Sequence, residues 1–210
     1  TVKNLLKTYG VTPSKHLGQN FLIDKNIIKK IVETANPLKN DVILEIGPGI
    51  GNLTQKLSKK AKEVIAVEKD PKMCIILHNL GLNNVEIIEK DVLKVNLNKQ
   101  FPPNYKVVAN IPYYLTSKLI RKLLESKNRP SQITLMIQKE VAERICNIKE
   151  KRNMLAISVW FYAKPEIKFS VSKNSFYPVP KIDSSVIQIQ PYKKLPSKQF
   201  IKNFFTIVRA

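Results

Sequence analysis

The sequence predicts an α/β protein with a mostly parallel sheet that is covered by helices on both faces. Three observations favour this fold class. Five short apolar segments, typical of buried strands, alternate with segments of helical periodicity between residues 24 and 146. After Lys164 two further strands follow each other without a helix between them, which is typical of an antiparallel pair. A chain of 210 residues is long enough for one such domain.

Each element has its own local signal. Asp24 can cap a helix whose apolar residues recur every three or four positions until Pro37. The β-branched strand Val42–Ile46 leads directly into a glycine-rich turn. The other predicted strands are 64–67, 85–88, 105–109, 133–137, 167–171 and 184–190, and the other predicted helices begin near Leu53, Pro71, Thr116, Lys139 and Ser197. These strands add up to a seven-stranded sheet, and ligands of such sheets bind at the carboxyl ends of the parallel strands.

The chain divides into two predicted parts. Residues 1–191 form the main domain, and residues 192–210 form a linker and the first helix of a further helical domain that appears truncated. No segment approaches the roughly 20 apolar residues of a membrane span, and the start of the chain does not resemble an export signal. We therefore expect a cytoplasmic monomer without a membrane partner. Cys74 and Cys146 are far apart and have no metal-ligand spacing, so neither a disulfide nor a metal site is expected.

The charge of the chain indicates a polyanionic partner. The formal net charge is +20, and residues 151–210 alone carry eleven basic and two acidic side chains. Residues 41–100, with nine basic and eight acidic side chains, are almost neutral. A general lysine bias of the proteome can contribute to the total, but it does not explain this asymmetry.

Three carboxylates follow predicted strands at the same edge of the sheet. Glu45 and Glu68 lie at strand ends, and Asp91 follows the next strand. Three acids are unfavourable beside a pyrophosphate but favourable beside a sulfonium and an ammonium group. The glycine spacing also differs from that of dinucleotide-binding loops, because position 52 is Asn and position 53 is Leu. The pattern therefore favours a cationic cofactor such as S-adenosylmethionine, although any one of these acids alone could be a helix cap or a surface ion pair.

The segment Asn110-Ile-Pro-Tyr113 comes at the end of the fourth predicted strand. The Asn110 side chain and the Ile111 carbonyl can accept hydrogen bonds from an exocyclic purine amine and so localise its lone pair. Tyr113 offers a ring on which a base can stack. The alternative is a simple turn with a half-buried aromatic residue, and these four residues alone do not decide between the two.

Five motifs together resemble the rRNA adenine dimethyltransferase family. They are segments 15–22, 45–54, 110–113, 138–143 and 176–184, and the match extends from about Lys15 to Pro191. The resemblance implies a class I S-adenosylmethionine-dependent methyltransferase fold, which is Rossmann-like, followed by a small helical domain. It also implies that the main domain binds the cofactor and carries the catalytic site, and that residues 1–23 close over cofactor and RNA.

The resemblance implies particular site residues as well. The cofactor-binding positions are Gln19, Asn20, Leu22, Glu45, Gly47, Glu68, Asp91 and Asn110. In this arrangement Gly47 lies against the methionine part, Glu68 binds the ribose and Asp91 binds the adenine. Asn110 lies between the cofactor and the target amine. Tyr113 stacks on the target base, and Phe176 covers the other face of that base or is, alternatively, a core aromatic before a Pro-x-Pro turn.

The family contains two branches with different substrates. One dimethylates two adjacent adenines near the 3′ end of small-subunit rRNA, and the other dimethylates one adenine of large-subunit rRNA and confers antibiotic resistance. The segment 176–185 resembles the small-subunit branch because Asp183 stands where the resistance branch tends to have Asn. We therefore expect rRNA in the small ribosomal subunit as the partner. The alternatives are large-subunit rRNA and a non-catalytic assembly or transcription factor with the same fold.

Overall fold

The computed structural model describes residues 2–14, 17–147 and 153–209. The strands are β1 (Phe21–Leu22), β2 (Val42–Ile46), β3 (Glu63–Glu68), β4 (Val85–Glu89), β5 (Lys106–Asn110), β6 (Gln132–Gln138), β7 (Ala163–Val171), β8 (Phe176–Tyr177) and β9 (Ser184–Pro191). The α-helices are α1 (Val2–Thr8), α2 (Lys25–Ala35), α3 (Thr54–Ser58), α4 (Pro71–His78), α5 (Leu97–Gln100), α6 (Thr116–Glu125), α7 (Lys139–Cys146), α8 (Met154–Tyr162) and α9 (Lys198–Arg209). Over these ranges, no helix has both the length and the apolar character needed to cross a membrane.

The main sheet has seven strands in the order β4-β3-β2-β5-β6-β9-β7. The first five strands are parallel to one another, and β9 pairs antiparallel with both β6 and β7. These observations confirm the predicted fold class and the antiparallel pair near the carboxyl end. Strand order reverses between β2 and β5, and such a switch point opens a crevice at the carboxyl edge of a parallel sheet.

Helices cover both faces of the sheet, as the alternation of elements predicted. Alternate strand residues such as Leu44 and Val107 pack with α6, α7 and α8, whereas Ile43 and Val108 pack with α2 and α3 on the other face. The strands are buried on both faces, which explains why their sequences are continuous apolar runs. A third apolar cluster joins α1, α4 and the segment around Phe21.

Four parts of the fold were not predicted: helices α1, α5 and α8, and the small sheet of β1 and β8. Helix α8 precedes β7, and the strands β1 and β8 form a separate two-stranded antiparallel sheet. In that small sheet Phe21 pairs with Tyr177, and Leu22 pairs with Phe176. The pairing brings the segment before α2 beside a segment that lies about 150 residues later in the chain.

Helix α9 packs against α8 through aromatic rings. The ring centroids of Phe161 and Phe204 are 4.5 Å apart, and those of Tyr162 and Phe205 are 5.8 Å apart. Phe205 belongs to the same apolar cluster as the core of the sheet. The helix predicted after Ser197 is therefore present, while its assignment to a second domain stays a prediction.

Candidate active site

A cavity of about 180 Å³ lies at the carboxyl ends of β2, β3, β4 and β5. Nine of the ten predicted site residues line it: Gln19, Asn20, Leu22, Glu45, Gly47, Glu68, Asp91, Asn110 and Phe176. The side chain of the tenth, Tyr113, falls outside what the structure describes, although its backbone lies in a 3₁₀ turn next to Asn110. We call the part built by Glu45, Gly47, Glu68 and Asp91 the donor side, and the part built by residues 110–118 the acceptor side.

The glycine turn after β2 brings backbone close to the cavity. Gly47 has φ +65°, and a Cβ there would lie 3.7 Å from the carbonyl oxygen of Asn110. Gly49 has φ +57°, and a Cβ there would lie 3.0 Å from the Phe21 ring. Both positions require glycine because L side chains rarely adopt positive φ. The turn thereby places the donor side in direct proximity to the acceptor side.

Glu68 is held by the backbone of two elements. Its Oε1 accepts hydrogen bonds from the N–H groups of Lys69 at 2.7 Å and Asp70 at 2.9 Å, and its Oε2 accepts one from Gly49 at 3.1 Å. Burial raises the pKa of Glu68, and these N–H groups partly oppose the shift because they favour the charged form. The carboxylate is therefore fixed in orientation at the end of β3.

Glu45 is buried without a complete set of hydrogen-bond partners. It is 1% exposed, and its Oε2 and the Oγ1 of Thr54 have no partner among the described residues. Burial raises the pKa of Glu45 to about 8; the Thr54 hydroxyl beside the carboxyl opposes this shift, and the nearby charge of Glu68 adds to it. An unpartnered carboxyl in a cavity wall is costly unless a ligand supplies a positive charge or a donor. This observation fits the cationic cofactor that the carboxylates predicted.

Asp91 has both a structural and a cavity-facing position. Its Oδ1 accepts from the Leu93 N–H at 2.9 Å, and its Oδ2 is 3.3 Å from Nζ of Lys69. The Leu93 N–H is the main cause of the lowered pKa of Asp91, and Lys69 adds to it. Asp91 therefore caps a 3₁₀ turn and also presents a charged acceptor to the cavity.

Asn110 connects the acceptor side to the amino-terminal segment. Its Nδ2 donates to the backbone carbonyl of Asn20 at 3.2 Å. Because the amide nitrogen is used in this way, Oδ1 is the group that can accept a hydrogen bond from a substrate. The bond also fixes residues 17–22 over the cavity.

The amino-terminal segment is fastened at several further points. Gln19 accepts from the Ser14 N–H at 2.8 Å and donates to Asp70 at 2.7 Å. Asn52 donates to the Leu22 carbonyl at 2.8 Å. Gln19 thus contributes to the cavity wall and also holds the segment on the amino-terminal cap of α4. Sequence reasoning missed Asp70, because the bond to Gln19 spans 51 positions.

Phe176 is a packed wall of the cavity. It is 2% exposed and belongs to the apolar cluster that contains Leu22 and Val171. This burial agrees with the alternative interpretation, in which Phe176 is a core aromatic before a Pro-x-Pro turn. The residue also borders the cavity. Its contact with a substrate base stays a prediction.

The fold and the site define a class of protein. A Rossmann-like seven-stranded sheet, a glycine turn after the first long strand and carboxylates at successive strand ends are the features of class I S-adenosylmethionine-dependent methyltransferases. S-adenosylmethionine is the cofactor of this chain.

The chain belongs to the ribosomal RNA adenine dimethylase family, whose model matches residues 12–210. It is 39% identical to the ribosomal RNA small subunit methyltransferase A of Listeria welshimeri, over 98% of this chain and 74% of that protein. It is 45% identical to the protein of the same name from Alkaliphilus oremlandii, over 89% of this chain and 68% of that protein. Among solved structures, the 23S rRNA methyltransferase ErmE superimposes with a TM-score of 0.79 at 28% identity, over 90% of this chain and 78% of that chain. The chain is accordingly an S-adenosylmethionine-dependent rRNA adenine dimethyltransferase.

Proposed function

We propose that the chain dimethylates N6 of two adjacent adenines near the 3′ end of small-subunit rRNA and so acts in maturation of that subunit. The observation that best supports methyl transfer is that the donor side and the acceptor side line the same cavity, with Gly47 beside the Asn110 carbonyl. The small-subunit assignment is supported by relatives of 39% and 45% identity that bear this name, against 28% for ErmE. Asp183 in the segment after β8 supports the same branch.

On the donor side, the chain's own groups bind the cofactor. S-adenosylmethionine supplies an electrophilic methyl group on a sulfonium. Glu68, oriented by three N–H groups, is placed to bind the ribose hydroxyls, and Asp91 to accept from the adenine amine. Burial raises the pKa of Glu45 to about 8, and a cation bound beside this carboxyl would favour its charged form. Asn20 and Leu22 close the cavity from the amino-terminal segment, and Gln19 holds that segment in place.

On the acceptor side, the target amine is oriented rather than deprotonated. Oδ1 of Asn110 and the carbonyl of Ile111 accept hydrogen bonds from the N–H groups of the amine. These hydrogen bonds favour a localised lone pair on the amine nitrogen. Tyr113 and Phe176 provide aromatic faces for a base taken out of its stack. The methyl group would pass from sulfur to nitrogen, which would leave a neutral thioether, and one proton of the methylated amine would pass to solvent. The amine then keeps one N–H, so the same acceptors can present it for a second transfer.

The substrate is bound largely through charge. Phosphate contacts from lysine and arginine dominate the affinity of proteins for RNA, and the net charge of +20 supplies them. We further propose that the enzyme works in the cytoplasm as a monomer. Light scattering behind size exclusion would give a mass near 24 kDa for this chain in that case.

A methyl-transfer assay tests the proposal. Labelled S-adenosylmethionine is incubated with unmethylated small subunits, naked small-subunit rRNA or large subunits, and the modified base is mapped. We expect N6,N6-dimethyladenine at two neighbouring positions of small-subunit rRNA. Label in large subunits alone would favour methylation of large-subunit rRNA. The observation that favours this second candidate function is the structural similarity to ErmE. Binding of S-adenosylmethionine without any transfer would favour a non-catalytic factor.

A further inference from the structure

Tyr114 is an exposed aromatic residue at the mouth of the cavity. It is 59% exposed, and it lines the cavity in the turn that follows Asn110-Ile-Pro. Single exposed apolar residues are common and need no explanation by themselves. The position of this ring beside the acceptor side, together with its neighbours, distinguishes it from Tyr192, which is also exposed but lies outside the cavity lining.

The ring of Tyr114 lies against a position without a side chain. A Cβ on Gly18 would be 3.8 Å from Cε1 of Tyr114 and 3.2 Å from Cβ of Pro112. The amino-terminal segment and the acceptor side therefore meet at this ring. Because Asn110 also bonds to Asn20, the surroundings of Tyr114 are tied to the residue that orients the target amine.

Lys118 adds a positive charge to the same cavity. It is exposed, it lines the cavity, and it lies on the first turn of α6, four residues after Tyr114 in the preceding 3₁₀ turn. Lys69 in the cavity wall is paired with Asp91, whereas none of the ion pairs among the described residues includes Lys118. An exposed ring and an unpaired ammonium that line the same cavity match the two parts of a nucleotide, a base face and a phosphate.

We propose that Tyr114 and Lys118 bind the nucleotide that adjoins the target adenine, with the base stacked on Tyr114 and its phosphate paired with Lys118. Removing a base from its stack leaves the neighbouring base without one partner, and a protein ring at the cavity mouth replaces it. This inference rests on the proposed function. Since the proposed substrate has two adjacent adenines, the base on Tyr114 is the other methylation target.

The test combines kinetics with a direct measure of stacking. At saturating S-adenosylmethionine, Tyr114→Asn should raise KM for the RNA about tenfold with little change in kcat, since base–aromatic stacking contributes this order of affinity. Tyr114→Phe should behave as wild type because it keeps the ring. Tyr192→Asn is the matched control and should leave KM unchanged. Affinity for S-adenosylmethionine, measured by calorimetry, should be the same in all of these proteins.

Stacking is read separately with a short RNA that carries 2-aminopurine next to the target adenine. Binding should quench its fluorescence in wild type and in Tyr114→Phe but much less in Tyr114→Asn. Lys118→Gln should lower the slope of log K against log salt by about one, whereas Lys30→Gln on α2 should not. Equal KM and equal quenching in wild type and Tyr114→Asn would overturn the inference. Failure of wild type to methylate any RNA would contradict the proposed function instead, and the quenching would still report whether Tyr114 stacks.

Discussion

On the donor side of the cavity the carboxylates of Glu45 and Glu68 are buried, whereas on the acceptor side the side chains of Tyr114 and Lys118 are exposed and that of Asn110 is half-buried. Glu68 accepts three backbone hydrogen bonds, and Glu45 is 1% exposed. Asn110 makes one bond of 3.2 Å, and Tyr114 is 59% exposed. The donor side is thus formed before the cofactor binds, whereas the acceptor side is completed only when RNA binds.

The difference predicts that RNA affinity is far more sensitive to salt than cofactor affinity. With about six phosphate contacts, RNA affinity should fall on the order of 10³-fold between 50 and 200 mM salt. Filter binding measures this, and cofactor calorimetry over the same range should show little change. A nearly flat line for RNA would mean that the +20 charge is not used for binding.

The same experiment locates the contacts within the chain. Two four-lysine variants are compared, one changed to Gln at Lys164, Lys173, Lys181 and Lys193 and the other at Lys56, Lys59, Lys60 and Lys99. All eight side chains are exposed. The first variant should reduce the salt slope more, because the basic excess is greatest after residue 150. Equal salt slopes for the two variants would show that the residues after 150 have no special role in RNA binding.

Changes on the acceptor side should separate catalysis from cofactor binding. Asn110→Ala should lower kcat by on the order of 10²-fold, as expected for one lost transition-state hydrogen bond, with a smaller loss of cofactor affinity. Tyr113→Ala should also reduce methyl transfer far more than cofactor affinity. Asn203→Ala on the exposed face of α9 is the control for the amide change. If Asn110→Ala reduced only cofactor affinity and left kcat unchanged, Asn110 would act in cofactor binding and not on the target amine.

A change on the donor side should have the opposite pattern. Glu68→Ala should weaken S-adenosylmethionine binding by roughly 1.5–3 kcal/mol, the contribution of a charged hydrogen bond. Calorimetry measures the loss, and RNA binding in the filter assay should be retained. Unchanged cofactor affinity would remove Glu68 from the ribose site.

The burial of Glu45 predicts a pH dependence of stability. Its pKa is raised to about 8 in the folded chain, so the folded state binds the proton more tightly than the unfolded state. Its contribution is therefore fully present below the unfolded pKa near 4.5 and is lost as the pH rises towards 8, on the order of 1 kcal/mol per pH unit. Glu45→Gln should lose less stability over this window, because an amide does not titrate.

Denaturant unfolding of wild type and Glu45→Gln between pH 5 and 9, without cofactor, measures the effect. Glu33→Gln is the control, since Glu33 is exposed on α2 and pairs with Lys29. A constant difference in unfolding free energy between wild type and Glu45→Gln would show that Glu45 is charged throughout the range.

Sequence predicted the sheet well because each strand carries a local signal. Buried parallel strands are short apolar runs, and the glycine turn after β2 marks the edge at which ligands bind. Helix α8 was missed because Met154–Tyr162 is apolar on all sides and shows no helical period. The β1–β8 pair was missed because two-residue strands leave no pattern.

In the candidate site, too, sequence predicted residues that have a local signal and missed contacts between residues that are far apart in the chain. Residues at the ends of strands, such as Glu68 and Asn110, were predicted to lie at the carboxyl edge of the sheet, and both line the cavity there. Asp70 was missed because its relation to Gln19 exists only in three dimensions. Tyr114 and Lys118 were not assigned a role from the sequence.

The position of β9 between β6 and β7 has a consequence for the order in which the chain can fold. Among the strands that the structure describes, β7 has β9 as its only neighbour in the main sheet, and β6 has β9 as its second neighbour. During synthesis residues 163–171 emerge before residues 184–191, so β7 must wait for a strand made later before it can pair. Until then the edge of β6 is open to other chains, as unpaired strand edges are in folding intermediates. Strand β9 therefore joins β7 to the rest of the sheet.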